Sequence, residues 1–164
     1  MDTTAAPPVS TEQALDAFHA SARLLRHPTL RARSRLVRDH LETYLDTACE
    51  RWLTTGELAL VAAERQIDSV GAVARVIGPE PLMSALPGFL DPSWLLPETG
   101  LASAQVRIAS ELAAWLVAVR LVDRAEMACS VIEVKVQADR ARRHLGERAG
   151  CSGSSSRSRA FGHR

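Results

Sequence analysis

Residues 101–145, LASAQVRIAS ELAAWLVAVR LVDRAEMACS VIEVKVQADR ARRHL, form the longest stretch with unbroken helical periodicity and no proline. Leu101, Ala104, Ile108, Leu112, Trp115, Val119 and Val122 recur at steps of three and four, so they share one face of an α-helix. Met127, Val131, Val134, Ala138, Ala141 and Leu145 keep the same spacing on a face turned about 100° from the first. Between the two sets, Asp123-Arg124-Ala125-Glu126 reads as an N-cap with an acid three positions on, which starts a fresh helix. One continuous helix would run about 67 Å, whereas a domain of this size has a radius of gyration of about 15 Å. The stretch therefore predicts two helices. The first is enclosed by neighbours, because residues 112–122 are apolar nearly all round apart from Arg120.

The same spacing extends upstream. Ser10-Thr11-Glu12-Gln13 has the form of a capping box, and Leu15, Phe18, Ala22 and Leu25 follow as a short stripe that Pro28 ends. A second helix, which Thr29 can cap, carries Leu30, Val37, Leu41, Tyr44, Ala48 and Trp52. A third, near 56–77, has the most regular seam in the chain: Leu60, Ala63, Ile67, Val70, Ala74 and Ile77. Five of the eight prolines then fall between Pro79 and Pro97, which predicts single helical turns in an apolar linker over 78–97, pinned to the rest by its Leu, Phe and Trp side chains. The alternation of Ile132, Val134, Val136 and Ala138 with polar residues also fits a strand, but the helical stripe is longer and no second strand candidate exists to pair with it.

The expectation is an all-α, antiparallel bundle of about five helices near 11–26, 29–54, 56–77, 98–122 and 124–146. A loose leader over 1–9 precedes it, and a disordered Gly/Ser/Arg tail over 150–164 follows. At 164 residues, 46% hydrophobic and 24% charged, the chain has ordinary globular composition and reads as one domain. The net charge of +1 hides a segregation. Residues 21–41 hold six Arg against one Asp, and residues 135–164 hold eight basic residues against two acidic ones. Residues 42–134 hold thirteen acidic residues against six basic. Cys49, Cys129 and Cys151 are an odd number without close pairing. No signal-type N-terminus or membrane-length apolar run is present, which points to a cytoplasmic chain with free thiols.

Leu96-Pro97-Glu98-Thr99-Gly100 resembles the sortase sorting signal of Gram-positive surface proteins over those five residues. Such signals precede an apolar span and a short basic tail, whereas here Arg107, Glu111 and Arg120 interrupt the span, so the five residues read as a helix start. Val73 to Gly78 resembles the end of the first helix and the turn of a helix-turn-helix unit. The segment after it, Pro81 to Leu86, lacks the basic and amide side chains that read base edges. Asp39, Glu42, Asp46 and Glu50 form a ladder of carboxylates opposite the stripe of the second helix and read as a solvated face rather than a metal site. No residues are assigned to catalysis, to a cofactor or to a metal.

The strongest positive signal is arginine. Arg23, Arg26, Arg31, Arg35 and Arg38 cluster around the turn between the first two helices, and Arg140, Arg142 and Arg143 near the C-terminal end, as candidates for binding a polyanion. Phe89, Trp94 and Leu95 are candidate apolar partner contacts. The functional expectation is a non-catalytic protein acting through protein–protein contact as a homodimer, because the seams exceed what one bundle covers. The alternative is a nucleic-acid-associated factor binding through arginines within 23–38 and 140–159. An enzyme with a pocket near Tyr44, Trp94 and Trp115 ranks third.

Overall fold

A computed structural model describes residues 8–154; residues 1–7 and 155–164 lie outside the described part, and with them most of the expected leader and tail. Among the described residues the chain is all-helical, with seven α-helices where the periodicity predicts five.

α1 (Thr11–Ser21) starts as its sequence demands: the Ser10 hydroxyl accepts the Gln13 amide, and the Gln13 side chain accepts the Ser10 amide. Leu15, Phe18 and, after the helix ends, Ala22 and Leu25 are buried, the last in a 3₁₀ turn over Arg23–Arg26. α2 (Pro28–Ala48) begins one residue before the expected cap. Pro28 occupies the first turn, where its missing N–H is no loss, and His27 rather than Thr29 is the N-cap.

The third segment differs most from its reading. α3 (Thr55–Glu64) opens with a capping box between Thr54 and Glu57, but the helix stops at Glu64, and a separate short α4 (Ala72–Val76) resumes after Gly71 at φ 70°. The predicted linker is largely helical as well: α5 (Pro79–Phe89) places Pro79 and Pro81 in its first turn, where no donor is required. Pro87 falls in the last turn, so the bond it removes interrupts little helix. After α5, the side-chain carbonyl of Gln105 accepts the Leu96 amide, and its amino group donates to the Phe89 and Trp94 carbonyls. The linker end is thus tied to the core by one fully buried, fully used amide.

α6 (Thr99–Ala118) is the central helix, packed against α2, α5 and α7, and it buries Ala102, Gln105, Val106, Ala109, Ala113 and Leu116 in addition to the predicted Ala104, Ile108 and Leu112. It ends earlier than expected. Arg120 adopts the left-handed conformation at φ 60°, Leu121 N–H reaches back to Leu116 O, and Arg120 N–H to Val117 O, which is a Schellman motif without its usual glycine. Asp123 does cap, but it caps a set of turns by accepting the Ala125 and Glu126 amides; α7 (Ala128–Ser154) begins five residues later. α7 continues through residues 150–154, which the sequence reading gives to the tail, and it carries Val134, Ala138, Ala141 and Leu145 inward while Ile132 and Val136 face outward.

Candidate functional site

The seam of the third segment is left outside. Leu60 is 60% exposed, Ile67 83% and Val70 74%, with Ala63 also exposed, whereas Ala74 and Ile77 at the end of the same seam are in the core. A helix as apolar as Leu58-Ala59-Leu60-Val61-Ala62-Ala63 is ordinarily enclosed, yet in α3 Val61 alone is buried.

A rigid frame holds this arrangement. Asp46 of α2 accepts the Gly71 amide at 2.7 Å and the Val73 amide at 3.0 Å, capping α4. Arg75 donates to Glu64 at 2.6 Å, to the Val70 carbonyl and to the Asp68 carbonyl, and so spans the whole turn from α3 to α4. Arg65 reaches Glu50 and the Asp46 carbonyl. Three carboxylates of the predicted ladder are therefore partners and not merely solvated: Asp46 of α2 and Glu50, in the 3₁₀ turn Cys49–Trp52 after it, organise the turn, and Glu42 pairs with Arg38 at 2.8 Å. Among the described residues no group of His, Cys, Asp and Glu is arranged to hold a metal.

A second surface lies between α6 and α7. Its floor is made of small and apolar side chains, Ser110, Ala113, Ala114, Val117, Val134 and Ala138, around an open hollow of about 400 Å³. Arg124, Lys135 and Arg142 stand on its walls, with Asp139 paired to Arg142 at 2.6 Å. A neighbouring hollow continues toward the start of α6 past Arg142, Arg107, Ser103 and Leu145.

The residues singled out from sequence are distributed differently. Phe89 and Leu95 are core residues, so neither presents a partner surface; burial of the α5 face accounts for Phe89. Trp94 is half-buried against Tyr44, with ring centroids 4.8 Å apart, and its carbonyl lies 2.7 Å from His40 Nε2. Trp115 packs on Phe18 and does not join that cluster. Of the arginines, Arg23, Arg26, Arg31, Arg35, Arg140 and Arg143 are exposed. Arg38 is engaged by Asp16 and Glu42, and Arg142 by Asp139. At the start of α6, Arg33 donates to Gly100 O and Arg148 to Pro97 O, which anchors the Leu96–Gly100 stretch as a helix start.

The helix-turn-helix resemblance ends at α5, whose Leu82, Met83, Ala85 and Leu86 are buried where a reading helix would be free. Burial pushes the Cys49 thiol up to about 12 and raises the Tyr44 hydroxyl above its usual value; Cys129 lies in a helix as its spacing predicts, but on the exposed side of α7. Pro87 and Gly88 border a small polar hollow of about 170 Å³ with Arg51, Asp91 and Glu133, and the buried Tyr44 hydroxyl lies against Gly88 with the Arg51 guanidinium as its charged neighbour. Compared with protein-family models, with curated proteins and with solved structures, the chain matches none.

Proposed function

We propose that this chain is a non-catalytic, cytoplasmic helical-bundle protein that works through protein–protein contact in a regulatory or accessory role, with the seam of Leu60, Ala63, Ile67 and Val70 as its contact face. The observation that carries the reading is the exposure of that seam in a frame that fixes it: five hydrogen bonds, two accepted by Asp46 and three donated by Arg75, hold the turn that presents Ile67 and Val70. Complete burial of Leu60, Ile67 and Val70 is worth about 1.5–3 kcal/mol each, enough to contribute substantially to a specific interface. Exposed apolar side chains concentrated in one short segment, here the four of the seam within residues 60–70, mark interaction sites in soluble proteins.

A photo-reactive residue placed at position 67 of the full chain tests the reading in cells. A discrete protein adduct supports it, and its absence overturns it. The exposed Arg23, Arg26, Arg31 and Arg35 favour a second reading, polyanion binding. Retention on heparin with a steep loss in salt, together with nucleic-acid adducts from position 26, would move the assignment there.

A further inference from the structure

We propose that the groove between α6 and α7 receives the α3 seam of a second copy of this chain. The proposal rests on the interaction reading above and names the partner.

Three features of the two surfaces fit each other. The first is size: α3, which carries Leu60 and Ala63 and leads into the turn bearing Ile67, is ten residues long, about 15 Å, and the α7 wall of the groove from Val131 to Arg142 runs about 16 Å. The second is shape. The groove floor of Ser110, Ala113, Ala114 and Ala138 has little side-chain bulk, and α3 contributes Ala59, Ala62 and Ala63, so two helix backbones approach at the short end of the usual 8–10 Å range, with Leu60 as the projecting side chain.

The third is charge. Around the seam stand four carboxylates, Glu50, Glu57, Glu64 and Asp68, against two arginines, Arg65 paired with Glu50 and Arg75 with Glu64 and at 4.0 Å from Asp68, so the segment keeps a net negative charge. The groove carries Arg107, Arg124, Lys135 and Arg142 against Asp139 alone. Opposite fields steer such surfaces together. Two seams laid face to face would instead bring carboxylates against carboxylates. Docking within one chain is excluded by the frame, because α3 is held on α4 and, through Arg65, on α2, and no seam residue lines the chain's own groove. The contact is therefore between copies and joins two different surfaces, so it forms either a closed pair with two such contacts or a longer array.

Two full-length variants test this by sedimentation velocity over nanomolar to about 100 µM chain. Ile67→Glu disables the seam and Ala114→Glu blocks the groove; both positions are exposed, and unchanged circular dichroism confirms that each variant folds. The wild type should self-associate with rising concentration, and each variant alone should associate at least tenfold more weakly. An equimolar mixture of the two should regain association, because each mixed pair keeps one intact seam and one intact groove. Three results overturn the proposal: a wild type that stays monomeric throughout, an Ala114→Glu variant that associates normally, or a mixture that shows no recovery. The first of these, combined with a protein adduct of a different mass at position 67, leaves the interaction reading standing and removes only the second copy as partner.

Discussion

The Asp46 carboxylate accepts the Gly71 amide at 2.7 Å, which joins the acidic face of α2 to the point where the third segment breaks. That contact, with its companion to Val73, satisfies the start of α4 and turns the chain so that Ile67 and Val70 leave the core. Replacing Asp46 with Ala removes both acceptors and should lower stability by about 1–2 kcal/mol, measured by urea unfolding. Gly71→Ala should cost about 1 kcal/mol for its left-handed φ, with Arg75 crowding the added carbon at 3.3 Å.

Arg120 occupies a position that favours glycine. Its φ of 60° is the left-handed residue of the motif that closes α6, and its side chain is exposed. Arg120→Gly should therefore raise the unfolding midpoint, by an amount equivalent to about 1 kcal/mol, with no change in the spectrum of the folded chain.

Gly88 admits the ring of Tyr44. A carbon added at Gly88 would clash with the buried Tyr44 hydroxyl. Gly88→Ala should destabilise the chain by about 2–4 kcal/mol, whereas Tyr44→Phe alone should change stability by less than about 1 kcal/mol. The double variant should recover at least half of the loss, since the clashing atom is gone. A double-mutant cycle by denaturant unfolding reads that coupling.

Cys49 makes the fold sensitive to alkali. Its thiol, raised by burial and secondarily by Glu57, ionises near 12 in the folded chain against 9.0 in a free thiol. Above pH 9 the unfolded chain gains from ionisation that the folded chain is denied, so stability is complete below pH 9 and falls as pH rises toward 12. The loss by pH 12 is on the order of 3 kcal/mol. Tyr44, also raised by burial, adds to the fall in the same direction above pH 10. Cys49→Ala should flatten the dependence of the unfolding midpoint between pH 9 and 11. A thiol reagent should reach Cys129 at once and Cys49 only on unfolding.

Where local chemistry decides the structure, the sequence was readable. Ser10 and Gln13 form the box their spacing announces, and the α7 stripe from Val134 to Leu145 is buried as its period requires. Helix in place of strand over 131–138 follows from the same stripe, since Ile132 and Val136, the two members outside it, are the exposed ones. Three breaks and joins were not readable, because their causes lie far along the chain or depart from the usual residue. The third helix ends through Asp46, twenty-five residues before Gly71. α6 closes on an arginine in place of a glycine. α5 persists through Pro87 because the proline falls in its final turn. Of the candidate site, the seam was visible as a seam, but its exposure depends on the Asp46 and Arg75 bonds, and the groove depends on how α6 and α7 pack. Neither leaves a mark in a single stretch of sequence.

The labelling rate of a thiol at position 67 tests most directly whether a second copy covers the seam. In a full chain carrying Ile67→Cys, with Cys129 and Cys151 replaced by Ser, the thiol should react at nearly the rate of a free cysteine at nanomolar chain. The reaction should slow at least tenfold at tens of micromolar, as the seam enters a partner's groove. A rate that stays fast at every concentration would contradict the account, as would one that is slow even at the lowest.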